Sequence, residues 1–260
     1  MNVSSAFCHM LNLPISGKQY FRFCRFPSFR SSVMITNANS LLLTRPLATE
    51  TATERHVFSS ATVREAEKVE KEASTELGSL APRRLILLRH AKSSWADRSL
   101  RDHDRPLSKS GRADAIKISH KFKELGWIPE LILLSCSIWG SDAVRTRETL
   151  QIMQEQVKSF LEAEIYLISS FYSIAAMDGQ TAEHLQKAIC KYSRDEIGTV
   201  MCMGHNKGWE EAASMFSGAS VELKTSNAAL LEARGRTWEE AFAFAGLGGW
   251  KLQCIVKPIS

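Results

Sequence analysis

Short apolar runs, each ended by polar or turn residues, divide the chain from residue 84 onward into predicted strands. Residues 85–88 and 131–134 are apolar without interruption. Short runs of this kind are typical of strands that are buried on both faces of a parallel sheet. The predicted strands are 85–88, 131–135, 164–167, 198–203, 227–234 and 249–257.

Between these strands, apolar residues recur at helical spacing, which indicates amphipathic helices. The first helix is predicted to begin after Ser108, whose side chain can cap its first turn, and to end at Gly126. The other predicted helices are 143–156, 181–192, 209–216 and the short segment 237–242. Strands that alternate with helices predict an α/β fold, here a three-layer α/β/α sandwich with a mostly parallel central sheet.

The first 50 residues differ from the rest in composition. They are rich in Ser and Arg, and residues 1–49 contain five basic residues but no Asp or Glu. This composition is typical of an organelle transit peptide, and the alternative is a disordered basic tail. The Ser-rich start favours the chloroplast over the mitochondrion. The same five residues account for the whole excess of 33 Lys and Arg over 28 Asp and Glu. The folded part is therefore neutral, and its charge does not indicate nucleic-acid binding.

Residues 51–82 form a charged, helix-favouring segment that we interpret as a linker, which leaves 83–260 as the folded domain. The six cysteines form no CxxC pair and no zinc spacing, so we expect reduced thiols. No apolar run reaches the roughly 20 residues that are needed to span a bilayer.

Polar side chains follow two of the predicted strands. Arg89 and His90 follow the strand 85–88, and His205 follows Gly204 at the end of the strand 198–203. Arg145 stands at the start of the second helix. Because ligands of open α/β sheets bind beyond the carboxyl ends of the strands, these side chains could converge on one site.

Two arginines and two histidines suit a phosphoryl group. The arginine fork forms bidentate, charge-assisted bonds to phosphate, and histidine can act as an uncharged nucleophile near neutral pH. The rival use of two histidines is a metal site. The sequence lacks the carboxylate pair or the HxxxH spacing that such a site would need, so we expect no metal and no cofactor.

Four motifs follow one another along the chain: residues 88–93 (LRHAKS), 104–107 (DRPL) with Gly111, 145–149 (RTRET) and 204–206 (GHN). Together they resemble the histidine phosphatase superfamily, which is also called phosphoglycerate mutase-like. The wording of the first motif and the Gly-His-Asn wording of the last resemble the SixA-like branch, which is associated with protein phosphohistidine phosphatase activity. With the N-terminal segment, the chain resembles a plant-type organellar member.

The resemblance implies a phosphoglycerate mutase-like fold without a large cap, and it implies roles for site residues. His90 would be the nucleophile that takes the phosphoryl group. Arg89, Arg145 and His205 would bind the phosphoryl oxygens, and Ser93 would also contact the phosphate. Water would then hydrolyse the phosphohistidine without a metal. The substrate would be a phosphorylated protein or a small phosphorylated molecule, and the oligomeric state stays open.

The chain departs from the family pattern in two places. Residues 136–141 look like an insertion just before Arg145, and Lys207 stands where the branch usually has proline. The general acid is unknown, with Asp178 and Glu183 as weak candidates. A missing acid favours phosphohistidine, because a phosphoramidate nitrogen can already carry a proton when it leaves.

Three functions follow from these features. The first is a phosphatase that uses His90. The second is a phosphate- or phosphopeptide-binding protein whose catalysis is impaired by the insertion. The third is a mutase-like phosphoryl transferase, which would need an acid and a cap that the sequence does not show.

Overall fold

The structure, a computed structural model, describes residues 22–24, 80–136, 144–171 and 181–258. These residues contain seven strands in one sheet, in the order β1-β4-β3-β5-β2-β6-β7. The strands are β1 (Arg22–Cys24), β2 (Pro82–Arg89), β3 (Leu131–Ser135), β4 (Glu164–Ile168), β5 (Thr199–Gly204), β6 (Ala228–Arg234) and β7 (Lys251–Val256).

The sheet is mostly parallel, as predicted. Strands β1, β4, β3, β5 and β2 run in one direction, whereas β6 pairs antiparallel with both β2 and β7. Strand β2 lies inside the sheet between β5 and β6, so all its apolar side chains can be buried. An edge position would have contradicted the predicted fold.

Five helices connect the described strands, close to their predicted positions. Helix α1 is capped as predicted: the backbone N–H of Gly111 donates to the Ser108 hydroxyl at 3.0 Å, and Gly126 takes a left-handed conformation at the C-terminal end. The last helix runs three residues beyond the predicted segment. The helices are α1 (Lys109–Leu125), α2 (Val144–Gln156), α3 (Thr181–Tyr192), α4 (Gly208–Ser217) and α5 (Trp238–Ala245).

The side chains of β2 alternate between two cores. Leu85 and Leu87 belong to the core formed with α3, α4 and α5, while Ile86 and Leu88 belong to the core formed with α1 and α2. All four are fully buried, and each such side chain stabilises the fold by about 2 kcal/mol. Because both faces of the sheet are covered, the predicted three-layer sandwich is confirmed.

The predicted transit peptide and linker lie largely outside the described residues. Within them the structure describes strand β1, which pairs parallel with β4, and residues 80–82, where β2 begins. None of the described helices is long and apolar enough to cross a membrane.

Candidate active site

The two predicted histidines lie side by side because β2 and β5 are neighbouring parallel strands. Arg89 pairs with Gly204 in register, and the backbone N–H of His90 donates to the carbonyl of Gly204 at 3.0 Å. His90 and His205 follow directly, with ring centroids 4.9 Å apart and ring planes at 72°. The end of this strand pair therefore forms the floor of a site.

A backbone contact sets the tautomer of His90. Its Nδ1 lies 2.8 Å from the carbonyl oxygen of Ala91, which can only accept, so Nδ1 carries the proton. The lone pair is then on Nε2. The N–H of Ala91 donates to the Thr149 hydroxyl at 3.1 Å, and that hydroxyl donates to the Arg145 carbonyl at 2.6 Å. Thr149, in the second turn of α2, thus links the backbone next to His90 to the first turn of the helix, which contains Arg145.

Arg145 reaches the second histidine. Its Nη2 lies 3.4 Å from Nδ1 of His205, and because a guanidinium can only donate, this Nδ1 must accept. The proton of neutral His205 is then on Nε2. The two histidines therefore hold opposite tautomers: His90 offers a lone pair on Nε2, and His205 offers an N–H donor.

Arg89 lies at the side of this pair. Its Nη1 donates to the Leu223 carbonyl at 2.9 Å, and the Leu223 N–H donates to the Glu210 carboxylate at 2.7 Å. Glu210, at the start of α4, thereby fixes the loop that orients Arg89. The Nε atoms of Arg89 and Arg145 are buried and have no hydrogen-bond partner among the described residues, so both guanidinium groups have donors left for an anion.

Burial makes both histidines poor bases. It lowers the pKa of His90 to about 3, with the charge of His205 and the two arginines adding to the shift. It lowers the pKa of His205 to about 4, where Arg145 adds to the shift and Asp102 opposes it. Both rings are neutral at pH 7, as a nitrogen nucleophile requires.

These shifts make the free energy of unfolding depend on pH. The unfolded histidines have a pKa near 6.5, so below that pH the unfolded chain binds protons that the folded chain does not. The contribution of the two neutral histidines to the free energy of unfolding is fully present above pH 6.5. It is lost as the pH falls toward their pKa values in the folded state. Between pH 7 and pH 5, we expect the free energy of unfolding to fall about 2 kcal/mol less in His90→Asn than in the wild type.

Urea unfolding of both proteins at the two pH values measures this difference. His120→Asn is the matched control, because His120 is exposed on α1, and it should lose as much stability as the wild type. Equal losses in all three proteins would show that His90 titrates normally in the folded state.

The loop between β2 and α1 packs against α2. Trp95 is 64% exposed, and the Arg105 guanidinium lies 3.5 Å from its ring centroid. Glu148 of α2 holds this loop, since it accepts from the Leu107 N–H at 2.7 Å and pairs with Arg112 at 2.9 Å. The loop that follows His90 therefore presents an exposed aromatic ring, stacked on Arg105, to solvent.

The start of α1 also packs closely on the loop that follows His90. The N–H and the hydroxyl of Ser108 both donate to the Lys92 carbonyl, at 2.9 and 3.0 Å. A Cβ on Gly111 would lie 2.1 Å from that carbonyl oxygen, so only glycine fits there. Ser93 is half-buried in this loop and pairs through its backbone with Leu107. Its contact with phosphate stays a prediction.

The two weak candidates for the general acid are not brought into this cluster by the described structure. Glu183 is exposed in the first turn of α3 and pairs with Lys187 at 2.6 Å, and that contact lowers its pKa. Asp178 lies outside the described residues. Of the apparent insertion, Cys136 extends β3 by donating its N–H to the Ile168 carbonyl at 3.3 Å, and residues 137–143 are outside the described part.

The sequence interpretation missed one carboxylate, Asp102, which contacts Arg145 through Nη2 at 2.7 Å. It stands just before the quoted motif 104–107, so an acidic residue beside that motif was the available signal. The described residues hold no group of three His, Cys, Asp or Glu side chains that could bind a metal ion.

Comparison with known proteins gives the same family that the four motifs resemble. The model of the histidine phosphatase superfamily (branch 1) matches residues 85–191. A chloroplastic Arabidopsis thaliana protein, itself uncharacterized, is 67% identical over 178 residues, which are 68% of this chain and 79% of that protein. The matched family region contains three of the four clustered side chains.

Two solved structures share the fold. One was assigned as the phosphohistidine phosphatase SixA from Agrobacterium tumefaciens, and it is 27% identical with a TM-score of 0.51 over 68% of this chain and 99% of that chain. Another, with the same assignment in Nakamurella multipartitia, is 22% identical with a TM-score of 0.51, covering 69% of this chain and 98% of that chain.

Proposed function

The chain belongs to the histidine phosphatase superfamily, and on this premise we propose that it is a phosphatase that works through a phosphohistidine on His90 and acts on phosphohistidine. The observation that carries the proposal is the pair of opposite tautomers. His90 offers a lone pair on Nε2, the centroid of the His205 ring lies 4.9 Å from that of His90, and Arg145 contacts His205 at 3.4 Å. A nucleophile flanked by preorganised donors is what phosphoryl transfer requires.

In the first step, His90 Nε2 attacks the phosphorus and the bond to the leaving group breaks. Arg89, Arg145 and His205 donate to the phosphoryl oxygens as charge builds on them. A phosphohistidine that carries a proton on its other ring nitrogen leaves as neutral imidazole, so it needs no acid. An ester would leave as an alkoxide and would need one.

The carboxylate nearest to the cluster supports this preference. Burial alone would raise the pKa of Asp102, but its hydrogen bond to Arg145 and the charge of Arg145 outweigh burial and lower the pKa. Asp102 is therefore ionised at pH 7 and cannot donate a proton to an alkoxide. An ionised carboxylate at this position favours a leaving group that is already protonated.

The placement of Arg145 favours catalysis over simple phosphate binding. An insertion that displaced this helix would have removed the guanidinium from the histidines, yet its Nη2 lies 3.4 Å from His205. The Agrobacterium tumefaciens relative, assigned as a phosphohistidine phosphatase, shares the fold along almost its whole length.

Phosphate release from three substrates tests the proposal: a phosphohistidine peptide, the matching phosphoserine peptide and a small phosphate ester. We expect kcat/KM for phosphohistidine to exceed the other two by at least about tenfold, with no loss in a chelator. Faster ester hydrolysis would point to a general phosphomonoesterase. Tight phosphate binding without any release would point to a binding protein.

We also propose that residues 1–50 are a chloroplast transit peptide. The acid-free, Ser- and Arg-rich composition supports it, as does the chloroplastic Arabidopsis thaliana relative. A fusion of residues 1–60 to a fluorescent protein should enter chloroplasts. Cytosolic fluorescence would contradict this proposal, and mitochondrial fluorescence would correct the compartment.

A further inference from the structure

Asp102 lies in the loop between β2 and α1 and contacts Arg145, one of the four clustered side chains. It begins the short helical turn Asp102–Asp104, and both its carbonyl and its carboxylate accept hydrogen bonds from the Arg145 guanidinium, the carboxylate Oδ2 at 2.7 Å. Its other oxygen lies 3.4 Å from Nη1 of Arg105. The same guanidinium that contacts His205 is therefore held from the other side by Asp102.

Asp102 lies on the solvent side of the cluster. Its side chain is 57% exposed, whereas His90, Arg145 and His205 are 7%, 6% and 8% exposed. A phosphoryl group on His90 has its attacking or leaving atom on the side away from that ring, because the displacement is in line. Asp102 is hydrogen-bonded to the same guanidinium nitrogen that contacts His205, so its carboxylate lies beside a phosphoryl group held by Arg145 and is open to the solvent that supplies the water.

We propose that Asp102 is the catalytic base that accepts the proton of this water in the second step. This inference rests on the proposed function, because it needs a phosphohistidine on His90. The water oxygen attacks the phosphorus, and the bond from phosphorus to His90 Nε2 breaks with its electron pair returning to Nε2. One water proton passes to Asp102 Oδ2. The products are inorganic phosphate, neutral His90 and protonated Asp102, which gives its proton to the solvent.

Because Asp102 is ionised, it is better suited to accept a proton than to donate one. The ion pair with Arg145 keeps the carboxylate ionised, so it can accept a proton in the second step but has none to donate in the first. The exposure of the side chain provides the path by which the proton reaches bulk water. The site would thus assist hydrolysis of the intermediate and leave the first step to the substrate's own proton.

Asp102 could instead act only through Arg145, by holding it or by competing with phosphate for it. Asp102→Asn separates these roles, because the amide oxygen can still accept from Arg145 but cannot take up a proton. Loss of the base slows the hydrolysis of the phosphoenzyme. Loss of a holding contact slows its formation and weakens phosphate binding. Loss of a competitor strengthens phosphate binding.

The experiment follows the phosphoenzyme by rapid quench with a labelled phosphohistidine peptide. We expect Asp102→Asn to form the phosphoenzyme at the wild-type rate and to hydrolyse it about 10- to 100-fold more slowly, so that the labelled form accumulates. Asp102→Glu should recover part of the hydrolysis rate. Asp104→Asn is the matched control, since Asp104 is exposed in the same turn and pairs with His103, and it should behave as the wild type.

Each other result overturns the inference. Slower formation with little label would make Asp102 a positioning residue, and unchanged hydrolysis with tighter binding of inorganic phosphate would make it a competitor. If the wild type forms a phosphoenzyme and Asp102→Asn hydrolyses it normally, the base is wrong while the proposed function stands. If the wild type forms no phosphoenzyme, the proposed function itself fails, and the base fails with it.

Discussion

His90→Ala should abolish both turnover and the covalent phosphoenzyme. The substitution removes the Nε2 lone pair, which the Ala91 carbonyl holds toward the site by fixing the proton on Nδ1. The arginines and His205 remain, but they bind and stabilise charge and do not form the covalent bond. We expect a fall in kcat of about 10⁴-fold or more, because without its nucleophile the site retains only binding and electrostatic stabilisation.

The measurement is acid-labile label on the protein after incubation with a labelled phosphohistidine peptide, together with phosphate release. His205→Ala should slow turnover yet leave some label, since His205 donates to the phosphoryl oxygens. His120→Ala is the control, because this histidine is exposed on α1. Inorganic phosphate should still bind to His90→Ala, which shows that the site is folded. Undiminished label on His90→Ala would assign the nucleophile to another residue.

The sheet and its helices could be predicted because their signals are local. The run 85–88 is apolar at every position because both faces of β2 are covered, and the alternation between two cores follows from strand geometry. Ser108 caps the start of α1 and Gly126 caps its end, and both residue types are typical of these positions. The antiparallel pairing of β6 and β7 could not be predicted, since apolar runs do not record strand direction.

The proximity of the clustered side chains could be predicted from their places at strand ends and at a helix start. His90 and His205 come together because the ends of β2 and β5 are in register, which the order of strands and polar residues indicates. The contact between Asp102 and Arg145 joins residues 43 positions apart and depends on the path of a loop. The histidine tautomers depend on single neighbours such as the Ala91 carbonyl, and the pKa shifts depend on burial. None of these follows from periodicity.

Arg145→Ala should produce the second large effect. Arg145 is 6% exposed, and its guanidinium links His205 to Asp102. The substitution removes a cation from the phosphoryl site and withdraws the donor that keeps the proton of His205 on Nε2. It also leaves the Asp102 carboxylate beside the substrate without the charge of Arg145. Since preorganised charge is the main contribution to phosphoryl transfer, we expect kcat/KM to fall about 10³-fold.

Arg145→Lys tests which property of the side chain matters. Lysine retains the charge but lacks the planar fork that reaches Asp102 and His205 together, so we expect it to recover at most about tenfold of the loss. Arg147→Ala is the matched control, because Arg147 is exposed on the same helix. A loss of only a few-fold in Arg145→Ala would mean that Arg89 and His205 carry the phosphoryl charge by themselves. Catalysis would then not depend on the arginine at the start of α2, the helix that follows the apparent insertion.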